Sequence, residues 1–359
     1  MKKISLVWLT TTAAVLLASA PLAPAASKGL EKGTRYLIIH ADDAGMCHSQ
    51  NMATFDALEH GLVSSASIMV PCPWFKEAAQ YAAKHPEKDF GVHLTLTCEW
   101  HLYRWGPVAP KDKVPSLLDK EGYLWSNVEQ VGKHAKANEV EIELRAQIDR
   151  VKQFGVPVTH LDTHMGSVLA RPDLVRVYVK LGLAYNIPIL FIRDPERIRE
   201  ENPALAPYVA QVAKTLEAKG LPVLDGLGQF YSADSLAQRY QNYENFLKKL
   251  KPGVSQLIIH CGYNNQELAA ITSSAAGRDG DRHIFTDPKM RTMIHDLGIE
   301  VITWKQFRAM ANARQGSASD WFGHVLQRKS EAPNPKSQTN LKLECSKEGV
   351  VCGVWKLEI

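Results

Sequence analysis

Four short polar strings interrupt apolar runs in this 359-residue chain, and they hold side chains that can bind a cation or move a proton. Asp42 and Asp43 stand together in HADDAG, directly after the run YLIIH. Adjacent carboxylates repel, so their pairing is costly unless a cation or proton relieves it; a turn that merely favours Asp and Gly accounts for the string equally well. His93 lies inside GVHLTLT, where a hydrogen-bonded core histidine is the ordinary expectation. THLDTHMGS puts His160, Asp162 and His164 on one face of an extended strand, because strand side chains alternate with a period of two. Burying three such groups without a metal or a hydrogen-bond network costs several kcal/mol. His260 closes the run in LIIHCGYN, and taken alone it reads as a packed residue as readily as a catalytic one. Jointly, carboxylates and imidazoles from separate strand ends fit a divalent ion with an open coordination position. A remaining carboxylate can then take a proton from water, and a separate His can give one to a leaving group.

The elements that must position these groups read as a parallel α/β fold, in which β-branched apolar runs alternate with helix-period segments. Strands are expected at 36–40, 65–70, 90–96, 158–162, 187–192, 256–260 and 300–304. One helix starts at Ser49 as N-cap and carries Met52, Phe55 and Leu58; another spans 139–154 with Leu144, Ile148 and Val151 as its stripe and Gly155 as its stop. All four polar clusters then fall at carboxyl ends of strands, the edge where β/α barrels assemble active sites. Residues 97–135, rich in Trp, Pro and Gly, lack a period and read as a long functional loop.

Hydrophobic residues make up 45% of the chain and charged ones 22%, enough for one large domain, here 34–312. The formal charge of +4 is dispersed, which argues against a nucleic-acid partner. Residues 1–26 combine Lys2 and Lys3, a short apolar stretch and Ala23-Pro24-Ala25, the pattern of a secretory signal. The stretch falls short of the ~20 residues that a bilayer needs, so export to the periplasm or medium, without a span in the mature protein, is expected. Residues 313–359 read as a polar linker and a β-hairpin, with Cys345 and Cys352 either bridged across it or unpaired. Cys47, Cys98 and Cys261 follow three of the clusters and read as small buried residues rather than thiolate ligands.

In this order, HADDAG, NMATFDALEHGLVSSASIMV, GVHLTLT, VPSLLDKEGYLW, VTHLDTH, IIHCGYN and FTDPKMRTMIHDLGIEVITWKQF resemble the YdjC-like carbohydrate deacetylases, over about residues 35–310. The resemblance implies an irregular (β/α) barrel and one divalent ion, magnesium or zinc, held by Asp43, His93 and His164. It casts Asp42 as general base and His260 as general acid in removing an N-acetyl group from an amino sugar or its oligomer. The chain departs from the family after His164, where MGSVLARP stands in place of the extra histidines that relatives often carry.

Arg104, Trp105, Asp162 and Arg193 are candidate substrate contacts, with Trp100 and Trp125 as further stacking surfaces. Each has a plainer reading: aromatics that pin the loop, and for Arg193 a surface ion pair. Two alternatives to amide hydrolysis stand beside it: a metal-dependent esterase acting on O-acetylated carbohydrate, and an exported carbohydrate-binding protein on the same fold. The partner expected is a small carbohydrate, and the chain has room for a homo-oligomer.

Overall fold

β-Branched apolar runs that are buried on both faces pair most readily as parallel strands covered by helices. The computed structural model, which describes residues 29–194, 203, 206–233 and 235–313, has that architecture. Its strands are β1 (Arg35–Ala44), β2 (Ser65–Ile68), β3 (Phe90–Leu94), β4 (Val158–Thr163), β5 (Gly226–Gln229), β6 (Gly253–Ile259) and β7 (Ile299–Val301). They form a parallel sheet in the order β4-β3-β2-β1-β6-β5, with β7 pairing β1 off this path. The helices are α1 (His48–His60), α2 (Phe75–Lys84), α3 (Val128–His134), α4 (Ala137–Gln153), α5 (Pro172–Tyr185), α6 (Val209–Ala218), α7 (Leu236–Lys248), α8 (Gln266–Ile271), α9 (Ala275–Thr286) and α10 (Pro288–Asp296).

The expected strand at 187–192 forms only isolated bridges, Leu161 to Ile189 and Ile192 to Leu224. Pro188 has no N–H to give to a ladder. These bridges lead from β4 toward the segment just before β5, and the ladder between the two edge strands is not continuous. The short β5 departs from expectation, because GLGQ offers glycine where strands favour β-branched side chains.

Alternation along β1 builds two cores. Leu37, Ile39 and Ala41 pack outward in the main apolar cluster, while Tyr36 and Ile38 face inward with Leu224, Val254, Ile302, Trp304 and Phe307. Continuing the inward face by steps of two brings His40 and then Asp42 above this apolar floor.

α4 matches its expected stripe, with Leu144, Ile148 and Val151 fully buried and Gly155 at φ 79° beyond its end. α1 begins at His48, and its first-turn N–H groups are met by Glu267, which accepts from Ser49 N at 2.7 Å. Ser49 is therefore not the cap. Met52 is 41% exposed, because steps of three residues drift off a 3.6-residue turn and leave it away from Phe55 and Leu58. Among the described residues no helix is long and apolar enough to cross a membrane. The expected signal at 1–26, the hairpin and Cys345 and Cys352 lie outside the described residues.

Candidate metal centre and active site

Neighbouring residues on a regular strand point to opposite faces, so Asp42 and Asp43 can both reach one site only if the strand breaks step. It does: the register of β1 against β2 shifts between Ala41 and Ala44, and Asp43 adopts φ 69°. A left-handed Asp is tolerated better than most residues, at roughly 1–2 kcal/mol. The break is fastened from outside. Gln50 Nε2 donates to the Asp42 carbonyl at 3.0 Å, and Arg278 Nη1, from α9, donates to Gln50 Oε1 at 3.1 Å. The same Arg278 nitrogen lies 2.8 Å from Asp43 Oδ2. Burial works to raise the Asp43 pKa, but Arg278, His164 and His93 together hold it well below the usual carboxylate range.

Asp43 Oδ1 is buried, accepts no hydrogen bond, and lies 3.3 Å from both His93 Nε2 and His164 Nδ1. The opposite nitrogen of each ring is engaged. His93 Nδ1 is 2.8 Å from Asp162 Oδ1, and His164 Nε2 is 3.1 Å from both oxygens of Glu99. Carboxylates behind the rings hold the far N–H groups, so that each ring, when neutral, would turn its lone pair toward Asp43, the arrangement that metal-ligating histidines use. Burial would lower both imidazole pKa values. Asp162 and Asp42 overcome it at His93, which rises well above its ordinary value, and Glu99 and Asp43 hold His164 up at about 9. One carboxylate oxygen and two imidazole nitrogens, mutually within 4.8 Å and on buried residues, are a donor set that a divalent ion fits.

A second layer of polar groups lies beneath. His40 Nε2 is 2.9 Å from Asp162 Oδ2 and 3.2 Å from Asp42 Oδ1, and its Nδ1 meets Ser65 Oγ at 3.0 Å. His160 sits lower still, stacked on Trp304 with ring centroids 5.1 Å apart. Its pKa is driven well down, first by burial and then by His40, so it is a packed core imidazole.

Above the centre opens a cavity of about 540 Å³ lined by Asp42, Asp43, His93, His164 and His260, with Leu190, Leu227 and Ile258 on one wall. His260 Nε2 stands 3.9 Å from Asp43 Oδ2, and its backbone N–H donates to Asp281 Oδ2 of α9 at 3.0 Å. Burial, then Arg278, lowers the His260 pKa, so a proton must arrive on the ring before it can be given away. Asp281 Oδ1 also accepts from Arg239 and Tyr243, and Arg239 in turn donates to the carbonyls of Phe230 and Tyr231 at the cavity mouth.

The family model described as YdjC-like protein matches residues 36–296. A carbohydrate deacetylase of Thermus thermophilus is 33% identical over 289 residues, covering 77% of this chain and 95% of the relative. The chain belongs to the YdjC-like family. A chitooligosaccharide deacetylase of Serratia marcescens is 30% identical over 171 residues, covering 46% of this chain and 63% of the relative. A solved structure from Enterococcus faecalis, described as a candidate cellobiose-phosphate cleavage protein, shares the fold. It has a TM-score of 0.63 and 24% identity, covering 76% of this chain and 98% of that one.

In this YdjC-like chain the structure gathers Asp42, Asp43, His93, Asp162, His164 and His260 about one cavity. Asp162 lines that cavity, but its Oδ1 is hydrogen-bonded to His93 Nδ1 and its Oδ2 lies 2.9 Å from His40 Nε2, so both oxygens face imidazoles rather than a substrate. Arg104, Trp105 and Arg193 are not brought to the cavity. Arg104 pairs with Asp119 at 2.7 Å inside the loop, and Trp105 is buried with its indole N–H on the Thr97 carbonyl. Arg193 is held at the surface by Glu217 and Asp225 at 2.8 and 2.9 Å. The loop aromatics are pins: Trp125 donates to Ser116 O and stacks on His134. Cys47, Cys98 and Cys261 are buried free thiols, and burial pushes Cys47 up to about 11, away from the thiolate a metal needs. Sequence reasoning missed Glu99, Arg278, Asp281 and the role of His40. Glu99 had a signal, as a carboxylate just beyond β3, whereas Arg278 and Asp281 lie on a helix of ordinary composition.

Proposed function

We propose that this chain is a metal-dependent hydrolase that removes N-acetyl groups from an amino sugar or oligosaccharide, releasing acetate. The observation that carries the reading is Asp43 Oδ1, unpartnered and equidistant from two imidazole nitrogens whose far sides are fixed by carboxylates. The carbohydrate deacetylase name of the Thermus thermophilus relative supports the substrate class. Asp43, His93 and His164 would hold one divalent ion, zinc or magnesium, which when bound polarises an acyl oxygen and acidifies water. Asp42, which neighbours Asp43 at the strand break and lines the same cavity, would accept a proton from the attacking water. His260, just beyond β6 and lining the same cavity, would hand a proton to the departing nitrogen, without which an amide does not cleave readily. Residues 1–26, a signal by composition, would send the enzyme to an exported carbohydrate pool.

The test is acetate release from N-acetylglucosamine and its short β-linked oligomers by the purified chain, metal-stripped and then reloaded with zinc or magnesium. Release that needs the ion and falls by at least about 100-fold in Asp42→Asn supports the reading. Equal release by wild type, Asp42→Asn and His164→Ala would overturn it.

A further inference from the structure

His40 is assigned no task by the chemistry above, yet it is fully buried and faces the site from below. Polar groups from three strands pack against it. β2 supplies Ser65 Oγ at 3.0 Å from Nδ1 and Ser67 Oγ at 3.1 Å from Nε2. β4 supplies Asp162 Oδ2 at 2.9 Å and the His160 ring edge-on at 4.9 Å, and β1 itself supplies Asp42 Oδ1 at 3.2 Å. Ser65 donates its only proton to Asp89 Oδ1 at 2.7 Å, so it must accept from His40 Nδ1–H. Nε2 then faces two carboxylate oxygens that can only accept while ionised. The hydrogen bond of Nε2 goes to Ser67 Oγ, and the two carboxylate oxygens, which take no hydrogen bond themselves, flank the same nitrogen at ion-pair distance.

We propose that His40 is a positioning residue that clamps Asp42, the base, to Asp162, the carboxylate that orients metal-ligating His93. The consequence is that one buried cation serves two tasks. Through Asp162 Oδ1, 2.8 Å from His93 Nδ1, it stiffens the metal site. Through Asp42 Oδ1 it fixes one oxygen of the base and leaves Oδ2, the atom 3.7 Å from His93 Nε2, turned toward the metal centre. Its charge agrees with this. Burial opposes protonation, but Asp162 and Asp42 raise the His40 pKa to about 9.

The turnover half of this inference rests on the deacetylase reading; the metal half does not. The experiment is a calorimetric zinc titration of the metal-stripped full chain, paired with acetate release at saturating zinc, for wild type and His40→Gln. Zinc affinity is expected to fall about tenfold, the size of effect seen when support behind a metal-bound histidine is lost. kcat should fall at least tenfold with KM within about twofold, and that kcat loss should vanish in an Asp42→Asn background because His40 acts through Asp42. Wild-type zinc affinity and kcat in His40→Gln, whatever its melting temperature, overturn the proposal. So does a second zinc bound per wild-type chain that disappears in His40→Gln, which would make His40 a ligand. Should His40→Gln fail to fold, Ser65→Ala removes the acceptor of Nδ1–H more gently: smaller losses in the same direction support the clamp, and unchanged zinc affinity and kcat refute it. If wild type releases no acetate from any sugar tested, the deacetylase reading fails while the zinc titration still decides the metal half.

Discussion

Asp162→Asn separates orientation from charge at the centre. The side chain keeps its shape but must present an NH₂ to one of two imidazoles, His93 at 2.8 Å or His40 at 2.9 Å. Turned toward His93, it would force the tautomer that points a proton at Asp43. Turned toward His40, it preserves His93 and asks His40 only to give up its Nε2 proton, since Nδ1–H stays on Ser65. The second orientation is cheaper, and its cost can be worked out. With a folded pKa of about 9 for His40, deprotonation at pH 7.5 costs about 2 kcal/mol at 1.36 kcal/mol per pH unit.

That cost has a pH signature. His40 is raised above its ordinary value of 6.5, so its stabilising contribution is fully present below about pH 6.5 and fades as pH climbs through 9. The metal-stripped variant should therefore melt about 4–8 °C below wild type at pH 7.5, with a wider gap at pH 6 and almost none at pH 10. Asp42 supplies part of the raised pKa, which makes these values upper bounds. Zinc affinity should fall 10- to 100-fold, or about 1.4–2.8 kcal/mol, because His93 loses a charged partner. Differential scanning fluorimetry across pH and calorimetric zinc titration read both quantities. A melting gap that does not change with pH, or zinc affinity equal to wild type, would refute the arrangement of Asp162 between His93 and His40.

Metal removal should lower thermal stability as well as abolish acetate release: restoring zinc at 100 times its dissociation constant adds about 2.7 kcal/mol, roughly 5–11 °C, measurable by the same melting assay. His260→Ala should cut release from an N-acetylated sugar by 10²- to 10⁴-fold, yet spare an activated acetate ester whose leaving group needs no proton, which parallel kinetics on the two substrates will show. Gly91→Ala should destabilise the chain by about 1–3 kcal/mol, because a Cβ there would lie 2.4–2.6 Å from the His160 ring. Adding His160→Ala should remove much of that clash, and strict additivity of the two melting shifts would show that the contact is not made.

The inner face of the barrel was legible wherever one strand carried both its apolar signature and its polar end. β1, β3, β4 and β6 were found, and with them Asp42, Asp43, His93, His164 and His260 as polar groups near strand ends, whereas their division into ligands, base and acid came from the family resemblance. The break at Asp43 was not legible, since nothing in HADDAG announces a left-handed residue, and without it one of the two carboxylates would point outward. Nor was the support from α9. Arg278 and Asp281 are one helical turn apart, far along the chain from the groups they hold, and only the tertiary fold aligns them with Asp43 and the His260 backbone. The loop aromatics misled for a related reason. Trp105 and Arg104 are the right residue types for sugar binding, but the same surfaces stabilise a long loop when a carbonyl or a carboxylate lies within reach.

Charge explains why these supports are built as they are. Asp42, Asp43, Asp162 and Glu99 bring four carboxyl groups to a largely enclosed centre, where unpaired charge is expensive. Arg278 on Asp43 and His40 between Asp42 and Asp162 provide two resident cations. Counting only these two cations the centre lacks two positive charges, which protons on His93 and His164 supply without an ion and which a divalent ion between Asp43, His93 and His164 would supply in their place. His93 and His164 feel the same imbalance: each is drawn toward protonation by the carboxylates around it and against its own burial. The excess of carboxylates over fixed cations thus draws in either two imidazole protons or a divalent ion between Asp43, His93 and His164, and the two compete for the same nitrogens.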